Sequence, residues 1–211
     1  MPKFTIPALV AGFALALPTL ARASTWDIDP AHSTVEFSVR HMMVSTVKGL
    51  FGKVNGTLVL DDKDVAKSSV QVTIDLGSVN THEPKRDAHL KSPDFFDVAK
   101  YPTATFKSTK VQIVGKGKLK VTGDLDLHGV RKPVVLHVEG PTDAFKTPFG
   151  TTVRGVHATA KVDRKDFNIG WNKVLDNGGV LVGNDVSLDL NVEFTQKGAA
   201  APAPAAAKGK K

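Results

Sequence analysis

The chain contains no cysteine. That excludes a disulfide framework, a thiolate nucleophile, a thiolate metal site and a lipid anchor on an N-terminal cysteine. An oxidising compartment is therefore allowed but not exploited. Aromatic residues are scarce, at 7% of the chain, and few fall on the apolar faces described below. No Gly-x-Ser-x-Gly elbow offers a nucleophile. Gly178-Gly179 lacks the following Lys-Ser/Thr of a phosphate loop. The seven histidines, at 32, 41, 82, 89, 128, 137 and 157, form no His-x-His or His-Glu-x-x-His pair, so no metal is expected. No catalytic set stands out. Asp27, Asp29, His32 and Ser33 read as a turn, with Asp and Pro where turn chemistry wants them.

Long apolar runs are also missing. The stretch Thr5 to Leu20 is shorter than the ~20 residues a spanning helix needs, and Pro7 and Pro18 interrupt it. Lys3 precedes it and Ala21-Arg22-Ala23 follows, a small-x-small cleavage site. Residues 1–23 thus read as a secretory signal peptide cleaved before Ser24, and the mature protein is expected to be periplasmic or secreted. Residues 198–211 are a low-complexity Ala/Pro stretch ending in Lys-Gly-Lys-Lys, expected to be disordered. Its lysines offer at most a transient contact with anionic lipid. Taking Lys3, Arg22, Lys208, Lys210 and Lys211 from the 28 basic residues leaves 23 against 21 acids. The body, residues 24–197, is nearly balanced, so nucleic acid is not an expected partner.

What the body does have is alternation. From Ser33 to Arg40, Val35, Phe37 and Val39 share one face, and Thr34, Glu36, Ser38 and Arg40 share the other. This is a strand with one dry and one wet face. His41 continues the dry face, while Arg40 is expected to pair with an exterior acid. The pattern recurs at Val54–Leu60, Val70–Leu76, Ala104–Phe106, Val111–Ile113, Leu119–Leu127, Val134–Val138, Val156–Val162 and Val186–Phe194. Eight or nine such strands imply one antiparallel sheet that must close on itself or stack on a second sheet. A helix is expected over His82–Lys91, capped by Thr81 and stopped by Pro93. A helical turn is expected around Ser45–Phe51. His82 and His89, seven apart, could share a helix face, and His137 and His157 fall on wet faces. Large aromatics sit in connections, namely Phe51, Phe95, Phe96, Tyr101, Phe145, Phe149, Phe167 and Trp171, where they could plug or gate a barrel mouth. Dry-face Gly56 and Gly123 either leave room or mark bends.

Several strings are distinctive in order and spacing. They are Asp29-x-x-His32-Ser33, Val39-Arg-His41, Gly49-x-Phe51-Gly52, Phe95-Phe-Asp97, Tyr101-Pro102, Gly123-Asp-Leu-Asp-Leu-His-Gly-Val130 and Asp163-Arg-Lys-Asp-Phe-Asn-Ile-Gly170. Together they resemble the YceI-like family of lipid/polyisoprenoid-binding proteins. The resemblance covers Trp26 to Thr195. It implies an all-β, eight-stranded antiparallel lipocalin-like barrel with one or two short helices, holding a long-chain isoprenoid lipid in its pore. No other cofactor is implied, and a homodimer is allowed. Dry-face residues expected to touch the lipid are Val35, Phe37, Val39, His41, Leu58, Val72, Ile74, Phe106, Val121, Leu125, Leu136, Ala158 and Leu188. The connection aromatics Phe51, Phe95, Phe96 and Phe167 join them. His41 is open to two readings, a head-group contact or a structural strand-end residue. An enzyme acting on a lipid or small ester, and a solid adhesive sandwich, are the alternatives.

Overall fold

The computed structural model describes residues 23–176 and 178–197. The expected signal peptide, apart from Ala23, and the 198–211 tail lie outside the described residues. Twelve strand segments form one sheet. They are β1 (Ser24–Ile28), β2 (Thr34–His41), β3 (Ser45–Phe51), β4 (Val54–Leu60), β5 (Ser69–Asp75), β6 (Val79–Asn80), β7 (Thr103–Gly115), β8 (Lys118–Leu127), β9 (Val130–Glu139), β10 (Phe145–Lys146), β11 (Thr152–Asp163) and β12 (Val182–Gln196), with one α-helix, α1 (Pro84–Lys91).

Several segments are halves of one bent strand. β1 and β2 pair in turn with one edge of β12, Trp26 opposite Gln196 and Val35 opposite Leu190. β4 pairs with β1 while β3 pairs with β2, and β5 and β6 follow in the same way. Joined up, these make a closed eight-stranded antiparallel barrel, sealed where β11 pairs with β12 from Val153–Thr195 to Asp163–Asp185. The dry face is hidden by closure, not by a second sheet, because a closed ring has no edge to protect.

The alternation explains which side faces in. Along β12, Leu188 and Leu190 point to the bore while Ser187, Asp189 and Asn191 face out. The buried apolar residues form two groups. One is built on Trp26, Val35, Phe51, Leu60 and Phe194, and the other on Phe106, Val121, Val138 and Ala158. Close packing, not open room, explains the dry-face glycines. A Cβ at Gly56 would strike the Gln71 carbonyl oxygen, and one at Gly123 would strike the Phe106 ring and the Lys107 carbonyl oxygen.

Some local expectations are corrected. Ser45–Phe51 is strand β3, held in register by Val39–Val47 and Phe37–Gly49 pairs, not a helical turn. α1 begins at Pro84, and the Glu83 carboxylate, not Thr81, caps it by accepting from Lys85 N. His82 takes a left-handed conformation (φ 61°) that separates Thr81 from the helix. Ile113 is exposed beside a register shift at the end of the β7–β8 hairpin. Phe145 and Phe149 plug nothing; both are exposed on the β10 hairpin.

Candidate functional site

The bore divides into two apolar lobes. The wider, about 300 Å³, lies at the α1 end, and the narrower, about 100 Å³, at the end where the β7–β8 hairpin turns. Val35 borders both lobes. Of the expected lipid contacts, Phe37, Val39, His41, Phe51 and Ile74 line the wide lobe. So do Phe95, Phe96, Leu125 and Leu188. Leu58, Val72, Phe106, Val121, Leu136 and Ala158 line the narrow one.

Phe167 departs from the expectation. It is buried but borders neither lobe, lying instead under the seam between β9 and β11. That seam is short. Only Val138–Ala158 and the two pairs flanking it hold the strands together. Beyond them the chain turns through Arg164–Phe167, and Phe167 fills the gap, its carbonyl 3.1 Å from His128 Nδ1.

Aromatic side chains close the wide end. Phe51 lies 5.5 Å from Phe37 and 5.7 Å from Phe96, ring centre to ring centre. Trp171 packs against Phe95 at 5.3 Å and against His89 at 4.8 Å. Tilted and edge-on contacts of this kind suit the charge distribution of the rings. The adjacent Phe95 and Phe96 can both turn inward because their segment is irregular, held by bonds from Phe96 N to Leu90 O and from Asp97 N to Ser92 O.

The charged and titratable residues that line the bore gather at the wide mouth. Arg164, 4% exposed, donates to the carbonyls of Gly183, Ile169 and Trp171, and so fixes the 164–183 segment as one wall. Burial lowers its pKa from the ordinary value, with Asp163 acting against that shift. Arg86 is tied to Thr81, donating from Nε to Oγ1 at 2.8 Å and from Nη2 to the carbonyl at 2.9 Å. Thr81 in turn donates from N and Oγ1 to Asp87. His89 bonds Asp94 at 2.8 Å. The His41 imidazole lines the mouth with no hydrogen-bond partner among the described residues. Arg40 pairs with no acid among the described residues; it donates to Thr46 Oγ1 and to the Met43 carbonyl, bracing the β2–β3 turn.

Sequence reasoning missed Arg86, His89 and Arg164 as mouth residues. Each lies in or beside a connection, where no period marks which way a side chain points. His157 bonds Asp189 on the outer face, and His82 and His89 do not form a pair.

One titratable cluster lies outside the bore, at the bend between β1 and β2. Asp29 Oδ2 is 3.0 Å from His32 Nδ1, which is 3.8 Å from Glu193 Oε1. The three ligand atoms lie within 4.8 Å of one another, close enough to share a cation, a grouping that local spacing in the sequence does not reveal. The turn itself is as expected, with Ala31 N donating to Asp29 Oδ1.

A closed eight-stranded barrel with an apolar bore, its charged lining residues at one mouth, defines a class of protein that can enclose a small apolar ligand. Comparison with known proteins places it further. A sequence model of the YceI-like domain matches residues 26–194, and the chain belongs to the YceI-like family. A UPF0312 protein of Vibrio cholerae is 38% identical over 197 residues, covering 92% of this chain and 100% of the relative. A Campylobacter jejuni YCEI protein of known structure is 32% identical, with a TM-score of 0.62, covering 75% of this chain and 90% of that one. A polyisoprenoid binding domain from Saccharophagus degradans, implicated in plant cell wall breakdown, shares the fold at 17% identity and a TM-score of 0.60, covering 82% of this chain and 99% of that one.

Proposed function

We propose that this protein binds a long-chain isoprenoid lipid in its bore, tail inward and head at the wide mouth, and acts outside the cytoplasm as a carrier, store or scavenger. The observation that carries the reading is the distribution of polarity. Both lobes are walled by aliphatic and aromatic side chains, with Ser68 and Ser69 at the edge of the narrow one, and the charged and titratable residues of the linings stand at the wide mouth. Burial of apolar surface yields about 25 cal/mol per Å². An isoprenoid tail offers area with few polar handles. The related fold of the Saccharophagus polyisoprenoid binding domain supports the same ligand class. The charged start, apolar run and Ala21-Arg22-Ala23 support export. Binding rather than catalysis is the activity proposed, since below the mouth the walls hold no pair of titratable groups.

Organic extraction of the purified protein followed by mass spectrometry tests this. A stoichiometric prenyl lipid is expected, and extracts free of any long-chain lipid would sink the reading. His41→Ala sharpens it. With no bond of its own to lose, His41 should be removable without lowering the melting temperature. Affinity for a ligand with a phosphate or quinone head should fall by roughly 1–3 kcal/mol, while that for the bare hydrocarbon stays the same. Equal losses for both, with reduced stability, would return His41 to a structural role.

A further inference from the structure

We propose that the wide end of the barrel docks on a lipid bilayer, with the tip of the β2–β3 hairpin, Met42-Met43-Val44, and the neighbouring Val174 seated in its head-group layer. The proposal rests on the lipid-binding reading above but concerns a different surface. All four side chains are exposed, Met43 by 61%, Val44 by 81% and Val174 by 80%. Contiguous exposed apolar side chains of this kind mark interaction sites.

The backbone at the tip adds a second, independent observation. Val44 N donates to His41 O across a turn whose two central residues, Met42 and Met43, have φ of 52° and 60°. Turns with positive φ at both centres are built with Asn-Gly or its like, because a Cβ is unfavourable there. The hairpin instead places two long unbranched thioethers at its outermost point. Folding alone gives no reason for that choice, whereas insertion into an apolar phase does.

The tip is also held rigidly beside the mouth. Arg40 Nη2 donates to the Met43 carbonyl at 2.7 Å. Met42 N donates to Leu181 O, and Leu181 N donates to Lys173 O, so Val174 belongs to the same rim. Arg40, His41 and Leu181 line the wide lobe itself, so the apolar rim and the mouth are continuous. Arg40, Lys48 and Lys173 are exposed around the tip, against Asp176 on the 171–181 loop and Asp185 on β12, the latter paired with Lys161 at 2.6 Å. An apolar knuckle with a cationic surround suits the boundary between acyl chains and anionic head groups. A second copy of this chain would present the same cations to itself, so the bilayer is the better occupant. The opposite end also exposes Ile113, Val114, Phe145 and Phe149, but on two separate hairpins that turn on Gly117 and Gly150, beside the narrow lobe and away from the charged mouth.

The test is co-flotation of the full chain with phosphatidylcholine vesicles, with and without phosphatidylglycerol. The wild type should float, more so with the anionic lipid. Met42→Asn combined with Met43→Gly should cut the bound fraction by at least about tenfold, as expected for withdrawing two apolar side chains from the lipid. Because Asn-Gly suits the turn, the same variant should keep or raise the melting temperature. It should also load a prenyl lipid from detergent as the wild type does, so failure of docking and failure of the lipid-binding reading are separable. Ile113→Ser with Val114→Ser should leave flotation unchanged. A wild type that does not float, a hairpin variant that floats equally well, or loss of binding only at Ile113 and Val114 would each overturn the proposal. So would a hairpin variant that merely turns a dimer into a monomer in analytical ultracentrifugation.

Discussion

The two ends of the barrel solve the same problem in different ways. Both must stop water from entering an apolar bore. The narrow end does so by packing and by a latch. Arg154 reaches from β11 to the Thr142 carbonyl at 2.9 Å and to Asp62 at 2.8 Å, with its guanidinium over the Trp26 ring. Trp26 is itself almost wholly buried. Phe106 lies against Gly123 and takes the space a side chain would need. The wide end relies on connections instead. Phe95, Phe96 and Trp171 come from irregular segments between strands, held by bonds from Phe95 N to Ser92 O, from Phe96 N to Leu90 O and from Arg164 to the Trp171 carbonyl. A ladder-built end resists opening, while a loop-built end can rearrange at lower cost. Under the lipid-binding function proposed above, the difference makes the wide mouth the expected way in and the narrow end a floor.

The comparison breaks most visibly at the floor. Gly123→Val sets a branched side chain against the Phe106 ring and a backbone oxygen that cannot move. A loss of about 3 kcal/mol is expected. At about 2–4 °C per kcal/mol for a domain of this size, the melting temperature should fall by roughly 6–12 °C. Adding Phe106→Leu should restore part of that loss and no more, because the Lys107 carbonyl remains an obstacle. Full additivity of the two changes in thermal unfolding would mean that the ring does not fill the floor.

A pair of identical substitutions then compares the lobes directly. Leu58→Trp points into the narrow lobe and should overpack it, costing about 1–3 kcal/mol. Leu125→Trp points into the wide lobe, where there is room, and should cost less than about 1 kcal/mol while displacing lipid. Thermal melts and lipid content of the two variants decide the matter. Equal destabilisation would erase the distinction between floor and mouth.

The same contrast explains what could be read from the sequence. Strand faces were legible because a period of two survives in any half-buried strand. Val35, Leu58, Val121 and Leu188 all follow from alternation alone. Closure through β11 and β12 is consistent with that pattern, although alternation does not say which strands meet. The mouth was far less legible. Arg164 lies in a motif of the family, yet its carbonyl partners are set by a turn whose path no local pattern reveals. Phe167 was misplaced for the same reason, since an aromatic in a connection can face the bore or a seam. Arg40 was expected to meet an acid because wet-face arginines often do; the tight turn two residues on put a carbonyl within closer reach. Glu193 joins Asp29 and His32 only through strand pairing across 160 residues.

That last cluster stands where strand β1 bends into β2, at the joint between floor and mouth, and it yields the smallest predicted effect. Ser33 Oγ accepts from Glu193 N, so the turn is fixed on β12 whatever the protonation state of its neighbours. On that frame, the hydrogen bond from His32 holds the Asp29 carboxyl below its ordinary value of 3.8. Asp29 first, and Glu193 after it, raise the His32 imidazole above 6.5. A raised histidine stabilises the fold fully below its unfolded pKa, and that contribution is lost as pH rises through the folded value. A lowered carboxylate contributes above its unfolded pKa, and that contribution is lost as pH falls through the folded value. Both are therefore in place between about pH 4 and 6.5, the two unfolded values. His32 is largely solvent-exposed and Asp29 partly so, and salt should therefore weaken the pair. The melting temperature should decline slightly as pH rises from 6 to 8, and His32→Gln should flatten that slope without moving the lipid affinity. A variant that keeps the slope would assign it to another group. One that loses lipid along with the slope would show that the bend couples floor to mouth, and the two ends could no longer be treated as independent.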